Sequence, residues 1–62
     1  MTSFKGMKNA IERTFPGKVS GIAKFHNRNK LSFLSELPLE EIQKHFPQAT
    51  QSEEQIYHIT WE

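Results

Sequence analysis

The 62-residue chain contains no cysteine, and all seven of its acidic residues are glutamates. Without cysteine, neither a disulfide framework nor a thiolate zinc site can staple the fold. Long apolar runs are missing too: nothing approaches the roughly 18 consecutive apolar residues of a membrane span. The opening stretch, MTSFKGMKNAIERTF, is too polar and too broken to form a signal-peptide core. These absences predict a soluble, cytoplasmic protein. The three glycines, Gly6, Gly17 and Gly21, are scattered and form no phosphate-cradling loop. A chain of this length buries only about 60% of the surface its unfolded form exposes. It must therefore fold as one small domain, residues 1–62, around a modest apolar core, and a second copy of itself is one way to extend that core.

The apolar residues that are present fall into readable periods. Phe4, Met7, Ile11 and Phe15 recur at helical spacing and predict a helix over about 3–15. Thr2 or Ser3 can cap its start, and Pro16-Gly17 ends it. KVSGIAKFH and KLSFLS alternate, which predicts a hairpin over about 18–35. Setting Phe25 opposite Leu31 also sets Ala23 against Phe33 and Ile22 against Leu34. Asn27-Arg28-Asn29 then remains as the loop, where asparagine tolerates left-handed backbone.

LPLEEIQKHFP predicts a second helix over about 38–46. Pro38 suits its first turn, Glu40 and Glu41 its positive end, and Lys44 and His45 its negative end. QATQSEE reads as a polar connector, and QIYHITWE as a final strand over about 55–61. The expected fold class is α+β, in the order helix–strand–strand–helix–strand, with a three-stranded, mainly antiparallel sheet. The crossover through the second helix is long enough to make the last strand parallel to its neighbour instead. No internal repeat or low-complexity segment is evident.

Catalysis and metal binding find little support. His26, His45 and His58 lie at none of the spacings that hold zinc, and each has a plainer place on a turn, a helix end or a strand. Glu40 and Glu41 are adjacent on a helix and diverge. No serine sits in a G-x-S-x-G elbow. The reading is a non-catalytic protein with no metal, cofactor or small-molecule substrate.

Two binding classes remain. The predicted strands carry apolar residues in both phases, so that Ile22, Leu34 and Ile56 oppose the main core set. A sheet covered by helices on one side should be polar on the other. These three residues are accordingly the candidate interface for a protein partner or for homo-oligomerisation, through a sheet face or edge. A small regulatory or inhibitory protein fits, and such short, catalytically empty domains are common among those encoded by phages and mobile elements.

The alternative is a nucleic-acid-binding regulator. Residues 1–31 hold Lys5, Lys8, Arg13, Lys18, Lys24, Arg28 and Lys30 against Glu12 alone, a net +6. Residues 32–62 hold Lys44 against six glutamates, a net −5. The seven basic residues with His26 would contact phosphates, the hairpin tip leading. Folding that interleaves the two halves would instead cancel this polarity. The aromatics expected as stacking platforms for a single strand, Phe25 and Phe33, fall in the predicted core phase.

Overall fold

A computed structural model describes residues 3–62. Two helices and a four-stranded antiparallel sheet make an α+β domain, in the order α1 (Phe4–Thr14), β1 (Val19–Lys24), β2 (Lys30–Ser35), α2 (Leu39–His45), β3 (Thr50–Glu53) and β4 (Ile56–Thr60). Thr2 lies outside the described residues. Ser3 is the N-cap of α1, its Oγ accepting from the Gly6 backbone N–H at 3.1 Å. That bond satisfies one of the free donors of the first turn.

The sheet differs from expectation by one strand. Its order is β1-β2-β4-β3, and Thr50–Glu53, expected to be connector, is the fourth strand. This edge strand has no apolar residue and all four residues are exposed. Backbone pairing to β4 makes it a strand, with no hydrophobic alternation to announce it. The crossover through α2 leads into β3. The chain then turns back, and β4 slots between β2 and β3, antiparallel to both.

Both helices pack on one face of this sheet. Met7, Ile11 and Phe15 from α1 and Ile42 from α2 form a single core with Leu31, Phe33, Tyr57 and Ile59, which alternate inward from β2 and β4. Phe33 and Tyr57 are cross-strand partners whose rings stack at 5.7 Å. The Tyr57 hydroxyl donates to the Leu37 carbonyl, tying β4 to the segment that enters α2. Ser35 is buried among these groups but satisfied: its Oγ donates to the Lys18 carbonyl at 2.8 Å and accepts from the Leu37 N–H at 3.1 Å.

The first hairpin departs from the expected register. Lys24 pairs with Leu31 and Ala23 with Ser32, but Ser20 pairs with Leu34 and Val19 with Ser35. Gly21 and Ile22 together oppose Phe33, forming a β-bulge, and Gly21 adopts φ +61 to make it. The extra residue reverses the phase of the strand around it. Ile22, expected beside Leu34, turns inward and packs on the core with Val19. Phe25, expected in the core, is carried to the opposite face, where its N–H bonds the Lys30 carbonyl at 2.9 Å. An alanine Cβ at Gly21 would sit 3.4 Å from Leu34 on a backbone that side chains disfavour. Gly21→Ala is expected to cost about 1 kcal/mol, read as a fall of several degrees in Tm. An unchanged Tm would contradict the bulge.

The fold also contains an internal repeat that the residue pattern alone did not reveal. Each half is an αββ unit, and β2 and β4 meet antiparallel at the centre with β1 and β3 outside them. An approximate two-fold through the sheet relates the halves, passing near Ser32 and His58, the middle of the five β2–β4 pairs. The helices end alike, in Ile11-Glu12-Arg13-Thr14-Phe15-Pro16 and Ile42-Gln43-Lys44-His45-Phe46-Pro47. The cap N–H of Phe15 bonds the Ile11 carbonyl and that of Phe46 the Ile42 carbonyl, both at 2.9 Å. The turns after them also match, Lys18 bonding back to Phe15 and Ala49 to Phe46. Phe15 and Phe46 meet across the two helix ends at 6.1 Å. Each edge strand carries one irregularity in its register.

Candidate functional site: the open face of the sheet

With both helices on one side, the other side of the sheet has no covering layer among the described residues. Register decides what it displays. Lys30, Ser32 and Leu34 of β2 face outward beside Thr60, His58 and Ile56 of β4. Ser20, Ala23 and Phe25 flank them on one side, and Thr50 and Ser52 on the other. The centre holds short hydroxyl side chains and carries no acidic group.

The two ends of the face differ. Towards the β3–β4 turn it is aliphatic: Leu34 is 46% exposed, with half-buried Ile56 opposite it and Gly21 leaving room beside it. An open cleft of about 580 Å³ continues from Leu34 around this end of the sheet, lined by Lys18, Ser20, Ser35, Glu36 and Gln55 among others. It is broad and mostly polar, unlike the enclosed apolar sites that hold small ligands.

Towards the β1–β2 loop the face is aromatic and basic. The Lys30 ammonium lies 4.9 Å from the centre of the Phe25 ring, and the His58 ring meets Phe25 edge-on at 5.5 Å. His58 Nε2 is 2.9 Å from Ser52 Oγ, while Nδ1 is buried without a hydrogen-bond partner. Loss of solvent, and secondarily the Lys30 charge, hold the His58 imidazole below its ordinary value of 6.5. Between that lowered value and 6.5 the unfolded chain binds more protons than the folded one. The His58 contribution is therefore present in full above pH 6.5 and is lost as pH falls through the lowered value. An NMR titration should place the His58 midpoint below 6.5, with Lys30→Ala raising it only in part. A midpoint above 6.5 would contradict the packing under Phe25.

Of the interface residues expected from sequence, Leu34 and Ile56 share this face and Ile22 does not. His58 belongs to it, in the same phase as Ile56, and so does Phe25, which was expected in the core. An isolated glycine within a strand is the signal that marks a bulge, and following it at Gly21 would have moved both Ile22 and Phe25. The three histidines stay apart in role: His26 is in the hairpin loop, His45 packs on Phe15 at 5.5 Å, and His58 lies under Phe25. Among the described residues no three His or Glu side chains cluster as metal ligands.

The basic residues lie mostly on one side. Lys5, Lys8 and Arg13 are on α1, Lys18 precedes the edge strand β1, Lys24 ends it, and Arg28 and Lys30 come next in the hairpin. Glu53 and Glu54 occupy the opposite edge, at the β3–β4 turn. Three interstrand spacings separate the edges, about 14 Å, well beyond the ~8 Å Debye length at physiological salt. Among the described residues the one ion pair within 4.0 Å is Lys44–Glu41, inside the second half. Glu53 and Glu54 thus stay away from the basic edge, while Glu36 lines the cleft with Lys18 and Glu62 follows Trp61 beside the hairpin loop.

Comparison with family models, with curated proteins and with solved structures gave no significant match.

Proposed function

We propose that this protein is a small non-catalytic interaction module, regulatory or inhibitory in role, that docks a protein partner on the open face of its sheet. The observation that carries the reading is the placement of Leu34, Ile56 and Phe25 on a face that neither helix covers. A free sheet face in a small domain is ordinarily polar, and exposed Leu34, seated over Gly21 beside half-buried Ile56, offers an anchor point.

The face is a better docking surface than either edge. The β1 edge is bent by its bulge and ends in Lys24, and β3 has only four residues, an irregular register and Glu53. Bulges, shortness and charge are the usual devices that discourage strand addition.

A second reading, single-stranded nucleic acid at the hairpin, has one observation in its favour: Phe25 lies outside the core beside Lys30, Lys24 and Arg28. It is weaker because Lys30 and His58 already occupy much of the ring's surroundings, and a lone aromatic is a small stacking platform.

One experiment separates the two. Immobilised protein is exposed to nuclease-treated extract, alongside Leu34→Asp and Lys24→Ala/Arg28→Ala. The protein-docking reading predicts capture that survives nuclease and is lost in Leu34→Asp. Capture that vanishes with nuclease and with the Lys24/Arg28 pair would overturn it.

A further inference from the structure

The most specific clue to the partner is where the charges fall relative to the repeat. The β1–β2 loop and the β3–β4 turn lie at diagonally opposite corners of the face, because the approximate two-fold exchanges them. The first corner carries Arg28 in the loop and Lys30 on the face, with Glu62 nearby beyond Trp61, whose N–H bonds the Asn29 carbonyl; Lys24, opposite Leu31, faces the helix side. The second carries Glu53 and Glu54. A repeated backbone thus bears opposite charge at equivalent places.

Resting on the protein-docking reading, we infer that the open face binds a second copy of this chain, with each basic hairpin corner over the other copy's acidic turn. A closed two-fold pair requires one patch to complement itself. This face does so along one direction only: a two-fold along the other diagonal, which starts from the corner where Lys18 and Glu36 lie together, sets both basic corners over acidic ones.

The face measures about 14 Å across the strands and about 17 Å along the five β2–β4 pairs. On so nearly square a surface, that axis turns the strands of the two sheets almost perpendicular. Orthogonal stacking is one of the two favoured ways for sheets to pack. Ser32 and His58 fall at the centre of the contact, and Ile56 lies inside the acidic corner, where it meets Phe25 and the Lys30 stem of the partner copy. Leu34 lies at the same end but on the β1 side, next to Ser20, and there it meets the same part of the partner's face.

The size of the face sets the strength. Stacked on itself, a face of this span with its side-chain margins buries on the order of 500–1,000 Å² in total, at or below the low end for specific contacts, so dissociation is expected at hundreds of micromolar. Added salt weakens the pair by screening its corners. The aliphatic part remains.

Sedimentation equilibrium from about 10 μM to about 1 mM tests this, reading mass against the 7.3 kDa of one chain. The wild type is expected to approach twice that mass at the top of the range. Leu34→Asp should weaken association at least tenfold at an unchanged Tm. Arg28→Glu/Lys30→Glu makes both corners acidic and Glu53→Lys/Glu54→Lys makes both basic. Each should weaken self-association about fivefold or more, and an equimolar mixture of the two should recover it.

A mixture that fails to recover, or association indifferent to Leu34→Asp, overturns the arrangement. A wild type that stays at 7.3 kDa at 1 mM overturns self-association altogether. In that event, capture from extract that still depends on Leu34 would leave the protein-docking reading standing, and capture indifferent to Leu34 would remove both.

Discussion

Replacing Phe33 with alanine is expected to leave the chain largely unfolded at 25 °C. Phe33 is 1% exposed and sits on a central strand, stacked on Tyr57 and packed among Leu31, Ile42 and Ile59 in the core. Truncating a buried phenylalanine costs about 3–5 kcal/mol, the lost transfer energy plus the cavity left behind. A domain this small has only about 3–5 kcal/mol of stability to lose. The two quantities match, so one substitution removes most of the margin. Urea titration followed by circular dichroism checks it. A cooperative transition displaced by less than about 1 kcal/mol would show that Phe33 is not the centre of the core.

Ile22→Asp and Leu34→Asp should have opposite outcomes, although in an unbroken hairpin the two residues would share a face. Ile22 packs inward against the core, so an aspartate there places an unpaired carboxylate in apolar surroundings and costs about 2–4 kcal/mol. Leu34 is 46% exposed on the open face, and aspartate there should change stability by no more than about 0.5 kcal/mol. The difference rests on the bulge at Gly21 and Ile22. Thermal unfolding of the two variants reads it directly. If both are neutral, the strand has no bulge and the candidate face reverts to Ile22 and Leu34 together. If both unfold the protein, the face is not open.

The legible parts of this fold were those where burial imposes a period. Phe4, Met7, Ile11 and Phe15 mark α1 because a helix on a core must put apolar residues on one stripe. Leu39, Ile42 and Phe46 mark α2 in the same way, and Tyr57 and Ile59 alternate because β4 is central. The fourth strand was illegible because Thr50–Glu53 buries nothing and is held by main-chain bonds, which leave no trace in side-chain identity. The repeated Ile-x-x-x-Phe-Pro could have supplied the missing signal. A hairpin comes after Phe15-Pro16, so a hairpin after Phe46-Pro47 is the consistent expectation.

The candidate site was half legible for a related reason. Leu34 and Ile56 stand out as apolar residues in the wrong phase. The position of Ile22 and Phe25 depends on a single added residue in β1, which reverses the faces without altering composition. The charge polarity is plain in the sequence. Strand order decides how far Lys18 and Lys24 stay from Glu53, since placing β1 beside β3 would have brought them together.

The most direct test of the central claim, that the uncovered sheet face is the working surface and its partner a second copy, is a concentration series of amide and methyl NMR spectra. From about 20 μM to about 1 mM, signals of Phe25, Ser32, Leu34, Ile56 and His58 should move together while those on the outer surfaces of α1 and α2 stay still. Shifts confined to the helices, or spectra that do not change over that range, would contradict it.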